Sequence, residues 1–126
     1  MLTTVATVLA VLIGVGIIGV GVRLLCAPAE AATGFGIPDT PTADPALRSW
    51  LAVKAVRDVV SGLLLLVIIL VGTPHVLAWF LLVATGLPVG DALIVLGCNG
   101  SRAVGFGVHG VTAAIMLFVS LCLLMA

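Results

Sequence analysis

The chain has 126 residues, of which 63% are hydrophobic and only 8% are charged, and its five basic and five acidic residues cancel. An average soluble domain is about 45–50% apolar and about 25% charged, whereas the mean hydropathy of this chain is +1.45. A soluble fold of this size cannot hide so much apolar surface. The composition indicates one integral membrane domain over residues 1–126 in contact with the lipid bilayer, and the lack of a basic patch argues against nucleic acid as a partner.

Four hydrophobic segments follow one another along the chain, each long enough for the roughly 20 residues that a bilayer crossing needs. The first lacks a basic n-region and is longer than a signal-peptide core of about 7–15 residues, so we expect it to be retained. Asp44 and Pro45 form an N-cap and first-turn pair ahead of the second. The sequence predicts an all-α, four-helix transmembrane bundle with one long loop between helices 1 and 2 and with spans at residues 2–25, 46–71, 75–96 and 101–125.

The third segment contains the helix-breaking residues Gly86, Pro88 and Gly90. We expect a kink there, with a freed backbone carbonyl near Ala84. One interpretation is a kink that only serves packing. The other is that it opens a pocket and directs Asp91 into it.

The only long connection, residues 26–44, contains three prolines, with a fourth directly after it at Pro45, and the apolar residues Phe35 and Ile37. A loop of this length is often functional, so these two side chains either cover the mouth of a cavity or belong to a passive surface loop. Small residues in the first segment let transmembrane helices approach closely, either within the bundle or in a homo-oligomer. They are Gly14, Gly16, Gly19 and Gly21.

The most informative feature is a polar stripe inside the second segment. Its members have the spacing i, i+3, i+4 and i+7 of one helical face, and they are Lys54, Arg57, Asp58 and Ser61. An ionisable group in a bilayer costs between about 2.5 and 17 kcal/mol, depending on how far snorkelling and water relieve it. The stripe therefore indicates a protein interior or a wet cavity, which makes it the first place to look for function.

The predicted topology brings the intramembrane polar residues to similar depths. At 1.5 Å per residue, Asp58 lies roughly 12–15 Å, Asp91 roughly 8 Å and His109 roughly 10 Å from the same membrane face. Basic residues flank the two connections at that face, whereas the hairpin at residues 72–75 and both termini carry none. By the positive-inside rule we therefore expect this face to be cytoplasmic and both termini to be outside, in a bacterial inner membrane. The basic residues are Arg23, Arg48 and Arg102.

Two carboxylates, an imidazole and an ammonium beside lipid suit proton transfer. We predict a membrane-embedded acid–base enzyme of the isomerase, cyclase or epoxide-opening type, without cofactor or metal, acting on a lipophilic molecule such as an isoprenoid, sterol or polyketide. Asp58, Asp91 and His109 are the predicted catalytic residues. The predicted substrate-binding residues are Lys54, Arg57, Ser61, Trp50, Asn99 and Arg102.

Other interpretations of the same residues stay open. Lys54 with Asp58 and Arg57 with Asp91 can be purely structural ion pairs, as membrane proteins often use to tolerate charge. The chain can also be a small oligomeric transporter or ligand-binding protein, or an accessory subunit of a larger membrane assembly. The three cysteines have no metal-ligand spacing.

The segment from Lys54 to Gly62, with Asp91-Ala92 and His109-Gly110, resembles a family of small four-helix membrane proteins of bacteria and fungi that is known as a domain of unknown function. The chain also looks like a distant relative of the DoxX-like four-helix membrane proteins. The resemblance covers nearly the whole chain and implies a four-helix bundle. It implies no settled activity.

Overall fold

The computed structural model describes residues 1–125, and no strand occurs among them. The predicted all-α class is therefore confirmed. The helical elements are α1 (Leu2–Cys26), α2 (Pro28–Gly34), α3 (Pro45–Val71), α4 (Pro74–Ala84), α5 (Gly86–Gly97), α6 (Arg102–Val104), a π-helical segment (Gly105–Gly110) and α7 (Val111–Leu124).

The starts of three helices are fixed by side-chain caps. Asp44 accepts a hydrogen bond from the backbone N–H of Ala46 at 2.9 Å, which confirms the N-cap predicted for α3. Thr73 caps α4 in the same way, and Ser101 caps α6. Each cap satisfies an N–H group that the first helical turn leaves without a partner.

Among residues 1–125, three helical stretches are long and apolar enough to cross a membrane, namely Leu2–Cys26, Pro74–Gly97 and Arg102–Leu124. The remaining long helix, α3, has 27 residues, and at 1.5 Å per residue it is about 40 Å long. It differs from the other three because it carries the charges of Arg48, Lys54, Arg57 and Asp58. By length and composition, the structure thus supports three of the four predicted spans.

The stretch Pro74–Gly97 is interrupted where the sequence predicts a kink. Helix α4 ends at Ala84 and α5 begins at Gly86. Pro88 has no N–H group, so the carbonyl of Ala84 loses the donor that a regular helix would place four residues later. The hydroxyl of Thr85, between the two helices, donates to the carbonyl of Leu81 at 2.8 Å.

Helices α1 and α3 pack closely through small residues. A Cβ atom added to Gly21 would lie 2.7 Å from the carbonyl oxygen of Ala55, and one added to Gly62 would lie 2.6 Å from that of Gly14. By contrast, an added Cβ at Gly16 or Gly19 would meet nothing within 4 Å. Of the four glycines singled out in the first helix, only two therefore serve this contact.

The apolar core fills one end of the molecule, where the start of α1, the end of α7 and the turn between α3 and α4 lie. Its buried members are Ala6, Ala10, Leu65, Leu77, Ala78, Leu81, Met116, Val119 and Leu123. A hydrogen bond between helices lies within it, because the hydroxyl of Ser120 donates to the carbonyl of Ala78 at 2.8 Å. The opposite end, covered by α2 and the long loop, contains the polar residues.

Candidate functional site

A lysine and an aspartate one turn apart on α3 form the first half of the site. The Nζ atom of Lys54 lies 2.8 Å from Oδ2 of Asp58, and the two side chains are 35% and 22% exposed. The i, i+4 spacing puts both groups on one side of the helix. The ion pair of Lys54 with Asp58, which the sequence offers as a structural alternative, is therefore present.

The second half of the site centres on His109, which is buried in the π-helical segment. Its Nε2 atom lies 3.2 Å from the backbone carbonyl of Phe35. Because a carbonyl can only accept, Nε2 must carry the proton of this hydrogen bond. The other ring nitrogen, Nδ1, is left 4.0 Å from Oδ2 of Asp91 on α5.

Phe35 joins the two halves. Its ring lies against the imidazole of His109, with 4.6 Å between the ring centroids. The Nζ atom of Lys54 lies 5.3 Å from the centroid of the same Phe35 ring. Asp91 is connected to this arrangement through His109, whose Nδ1 atom lies 4.0 Å from its carboxylate. We refer to Lys54, Asp58, Asp91 and His109 together as the charged cluster.

The backbone after Phe35 is locked in place, which fixes Phe35 over the imidazole. Gly36 has φ = +98°, a conformation that favours glycine, and a Cβ there would lie 2.9 Å from Val104. The carbonyl of Gly36 accepts a hydrogen bond from the N–H of Ser101 at 3.0 Å. The long loop is thus attached to the turn between α5 and α6, not left passive on the surface.

The other predicted site residues lie outside the charged cluster. Ser61 is half-buried one turn beyond Asp58, and four side chains are exposed: those of Trp50, Arg57, Asn99 and Arg102. The ion pair considered between Arg57 and Asp91 is not formed among residues 1–125, because Asp91 faces His109. Neighbouring helical residues point about 100° apart, so Arg57 turns outward while Asp58 turns inward.

A surface cavity of about 520 Å³ lies beside the cluster, between the long loop and the α5–α6 turn. Its lining is polar in part and comprises Thr33, Gly36, Ile37, Pro38, Asp39, Thr40, Thr42, Asn99, Gly100 and Ser101. Gly36 belongs to this lining, while the neighbouring Phe35 covers His109. The loop backbone at these two residues therefore forms the wall between the cavity and the charged cluster.

Two elements of the site were not predicted from the sequence, namely the π-helical turn and the carbonyl of Phe35 as the partner of His109. π-helical turns are rare in proteins overall, but those that occur often lie at functional sites. The available signal was the glycine content of the turn at positions 105, 107 and 110. An added Cβ at Gly105 would lie 3.0 Å from Leu96 of α5, so the missing side chain lets the turn approach the helix that carries Asp91.

The cysteines and the acidic residues offer no clustered metal ligands in the described part of the chain. Within residues 1–125, no three His, Cys, Asp or Glu side chains are grouped so as to hold a metal ion. All three cysteines are free thiols, and Cys26 and Cys98 are exposed. The chemistry that the described side chains themselves offer is proton transfer and charge stabilisation.

The sequence matches the family described as Domain of unknown function (DUF4267) over residues 14–123. This match confirms the predicted resemblance to an uncharacterised family, while the likeness to DoxX-like proteins stays a prediction. Searches among curated proteins and among solved structures gave no match.

Proposed function

The chain belongs to the DUF4267 family, and we propose that it is a membrane-embedded acid–base enzyme acting on a lipophilic small molecule. The observation that carries the proposal is the position of His109, between the carbonyl of Phe35 at 3.2 Å and the carboxylate of Asp91 at 4.0 Å. The ion pair of Lys54 and Asp58 completes the site. Isomerisation, cyclisation or epoxide opening of an isoprenoid, sterol or polyketide needs only such groups and no cofactor.

The proposal includes a transmembrane arrangement of four crossing helices. The 27 residues of α3 exceed the roughly 20 needed for a crossing, and two of its charged groups pair with each other. The arginines at the loop-covered end favour placing that end in the cytoplasm, with both termini outside a bacterial inner membrane. A substrate dissolved in the bilayer would then reach the cluster sideways from the lipid.

The proposed proton transfer runs through Nδ1 of His109. Since Nε2 donates to Phe35, Nδ1 is the ring atom that can take up or release a proton towards Asp91. The 4.0 Å separation is longer than a hydrogen bond of about 2.7–3.2 Å. Catalytic hydrogen bonds are often this long before substrate binds and tighten in the complex.

Besides proton transfer, such a reaction requires stabilisation of the negative charge that develops on the substrate, and Lys54 and Asp58 supply it. A fixed ammonium stabilises negative charge that develops on a substrate oxygen, most strongly where water is excluded. Asp58 holds the ammonium in place at 2.8 Å and is the second carboxylate available as acid or base. In this arrangement, Asp91 and His109 move the proton while Lys54 binds the developing anion.

The test compares lipid extracts of cells that produce the protein or its variants. We expect a lipophilic product in cells with the natural protein, and its precursor in cells with Asp91→Asn or His109→Gln. Isomerisation or cyclisation gives a product of the same mass at a different retention time, whereas epoxide opening by water adds the mass of one water molecule. Liquid chromatography with mass spectrometry distinguishes the two.

Asp44→Asn is the matched control, because asparagine also caps a helix and Asp44 lies outside the cluster at the start of α3. Its extract should equal that of the natural protein. Identical extracts from the natural protein and from well-folded Asp91→Asn and His109→Gln variants would refute the enzymatic proposal.

Proton-coupled transport by an oligomer is the second candidate, and the interruption of the stretch Pro74–Gly97 at Thr85 favours it. Transporters commonly bind substrate where helices are broken near the bilayer centre. Purified protein in liposomes would then accumulate a substrate only under a proton gradient. It would leave that substrate chemically unchanged, which an enzyme would not.

A further inference from the structure

Arg57 is a charged residue of α3 that takes no part in the charged cluster. It is exposed on α3 and lines a shallow groove of about 380 Å³ with Ala52, Val53 and Val56. The carboxylate of the neighbouring Asp58 is bonded to Lys54 instead. Within residues 1–125, Arg57 therefore has no ion-pair partner, although it stands among apolar side chains on an outward face.

The groove extends from Arg57 towards the end of α3 covered by the loop. All three of its apolar residues precede Arg57 in the chain, and side chains on a helix tilt towards its N-terminus. The side chain of Trp50, seven residues earlier on the same face, is 70% exposed. Tryptophan is enriched at the membrane–water interface, and seven residues of helix separate the two positions by about 10 Å.

We propose that this groove binds an anionic phospholipid, with the phosphate on the guanidinium of Arg57, which extends towards the interface at Trp50, and an acyl chain that runs deeper into the bilayer along Val56 and the exposed Val60. The guanidinium is planar and binds phosphate through two parallel N–H groups. A lipid phosphate supplies the countercharge that the chain itself does not, and its tail matches the exposed apolar side chains of Val56 and Val60. The inference depends on the proposed membrane crossing of α3 and is independent of the acid–base chemistry.

Trp50 serves as the reporter for this site. The protein carrying Trp79→Phe, in which Trp50 is the sole tryptophan, is reconstituted in vesicles of phosphatidylcholine with a minor fraction of brominated lipid. Bromine quenches tryptophan fluorescence on contact. We expect brominated phosphatidylglycerol to bind next to Trp50 about five times as tightly as brominated phosphatidylcholine. This is the effect of one basic residue near an anionic lipid surface.

The variant Arg57→Gln should abolish the preference, and Arg57→Lys should keep part of it. Arg23→Gln is the matched control, since Arg23 is an exposed arginine near the same end of the molecule on α1, and it should leave the preference intact. Equal quenching by both lipids in the parent protein, or a preference that survives Arg57→Gln, would overturn the proposal. So would native mass spectrometry showing an Arg57-dependent dimer without bound phosphatidylglycerol, because a second copy would then cover the groove.

Discussion

His109 connects a distant loop to the helices through one hydrogen bond. Its Nε2 atom and the carbonyl of Phe35 are separated by 74 positions in the chain but by only 3.2 Å in space. The same ring packs on the side chain of Phe35. The imidazole is therefore also a structural anchor, and its two roles can be tested separately.

Replacing His109 with Leu is expected to loosen the loop. The carbonyl of Phe35 loses its partner, and an unsatisfied polar group away from water costs about 1–3 kcal/mol. We expect a protease of broad specificity to cut the solubilised variant faster within residues 36–43, as mapped by mass spectrometry. Thr112→Val is the control, because the hydroxyl of Thr112 donates a hydrogen bond within its own helix, to the carbonyl of Val108 one turn earlier. Unchanged cleavage in His109→Leu would show that the loop is held by other contacts.

The ion pair of Lys54 and Asp58 should behave as a coupled unit. Removing one partner by Lys54→Met or Asp58→Asn leaves the other group poorly compensated. Since both side chains are partly exposed, we expect each single change to cost about 1–3 kcal/mol, less than the 3–5 kcal/mol of a fully buried pair.

The double variant should cost less than the sum of the two single changes. Thermal unfolding in a fixed detergent gives the required ranking of stabilities. Additive losses would mean that the ammonium and the carboxylate act independently, with Lys54 stabilised mainly by Phe35.

At the scale of elements, the contact between α1 and α3 depends on glycines that face each other. Gly62→Ala would place a Cβ 2.6 Å from the carbonyl oxygen of Gly14, so the helices must separate, at a cost of about 1–3 kcal/mol. Gly16→Ala, where an added Cβ meets nothing within 4 Å, should be neutral or slightly stabilising. Thermal unfolding of the two variants side by side tests this, and equal stability would contradict the close packing of α1 on α3.

The helices themselves were largely predictable from the sequence, because their signals are local. Asp44 and Pro45 indicate the start of α3. Pro88 indicates the interruption at Thr85, because it has no N–H group to donate a helical hydrogen bond. The apolar periodicity does not reveal the π-helical turn, since one extra residue in a turn changes the phase of everything after it. That change is visible only in the backbone hydrogen bonds.

The candidate site was predictable only in part. Depth along each helix brings Asp58, Asp91 and His109 to one end of the molecule, and in the structure contacts through Lys54 and Phe35 connect them. Rotation about each helix is set by packing, so the sequence does not predict the outward direction of Arg57, and the ion pair considered between Arg57 and Asp91 is not formed among residues 1–125. The docking of Phe35 joins parts of the chain far apart in sequence, and no local pattern encodes it.

At the scale of the whole molecule, the apolar core and the charged cluster lie at opposite ends. The core of Leu, Ala, Val and Met side chains lies at the end with the termini, while the charged cluster lies under the loop at the other end. Stability is thus concentrated away from the polar groups. This division lets the loop-covered end carry costly charges without interrupting the main apolar contact among α1, α3, α4 and α7.

The orientation of these ends in the membrane can be determined with the natural cysteines. Cys26 closes α1 and Cys98 follows α5, so both exposed thiols lie at the loop-covered end, whereas Cys122 packs against the apolar core near the opposite end. With that end in the cytoplasm, a membrane-impermeant maleimide should label Cys26 and Cys98 in inside-out vesicles and not in intact bacterial spheroplasts. The variant Cys26→Ser/Cys98→Ser measures the contribution of Cys122, which packing should keep small. Labelling of Cys26 and Cys98 in intact spheroplasts would reverse the orientation and place the charged cluster near the outer face.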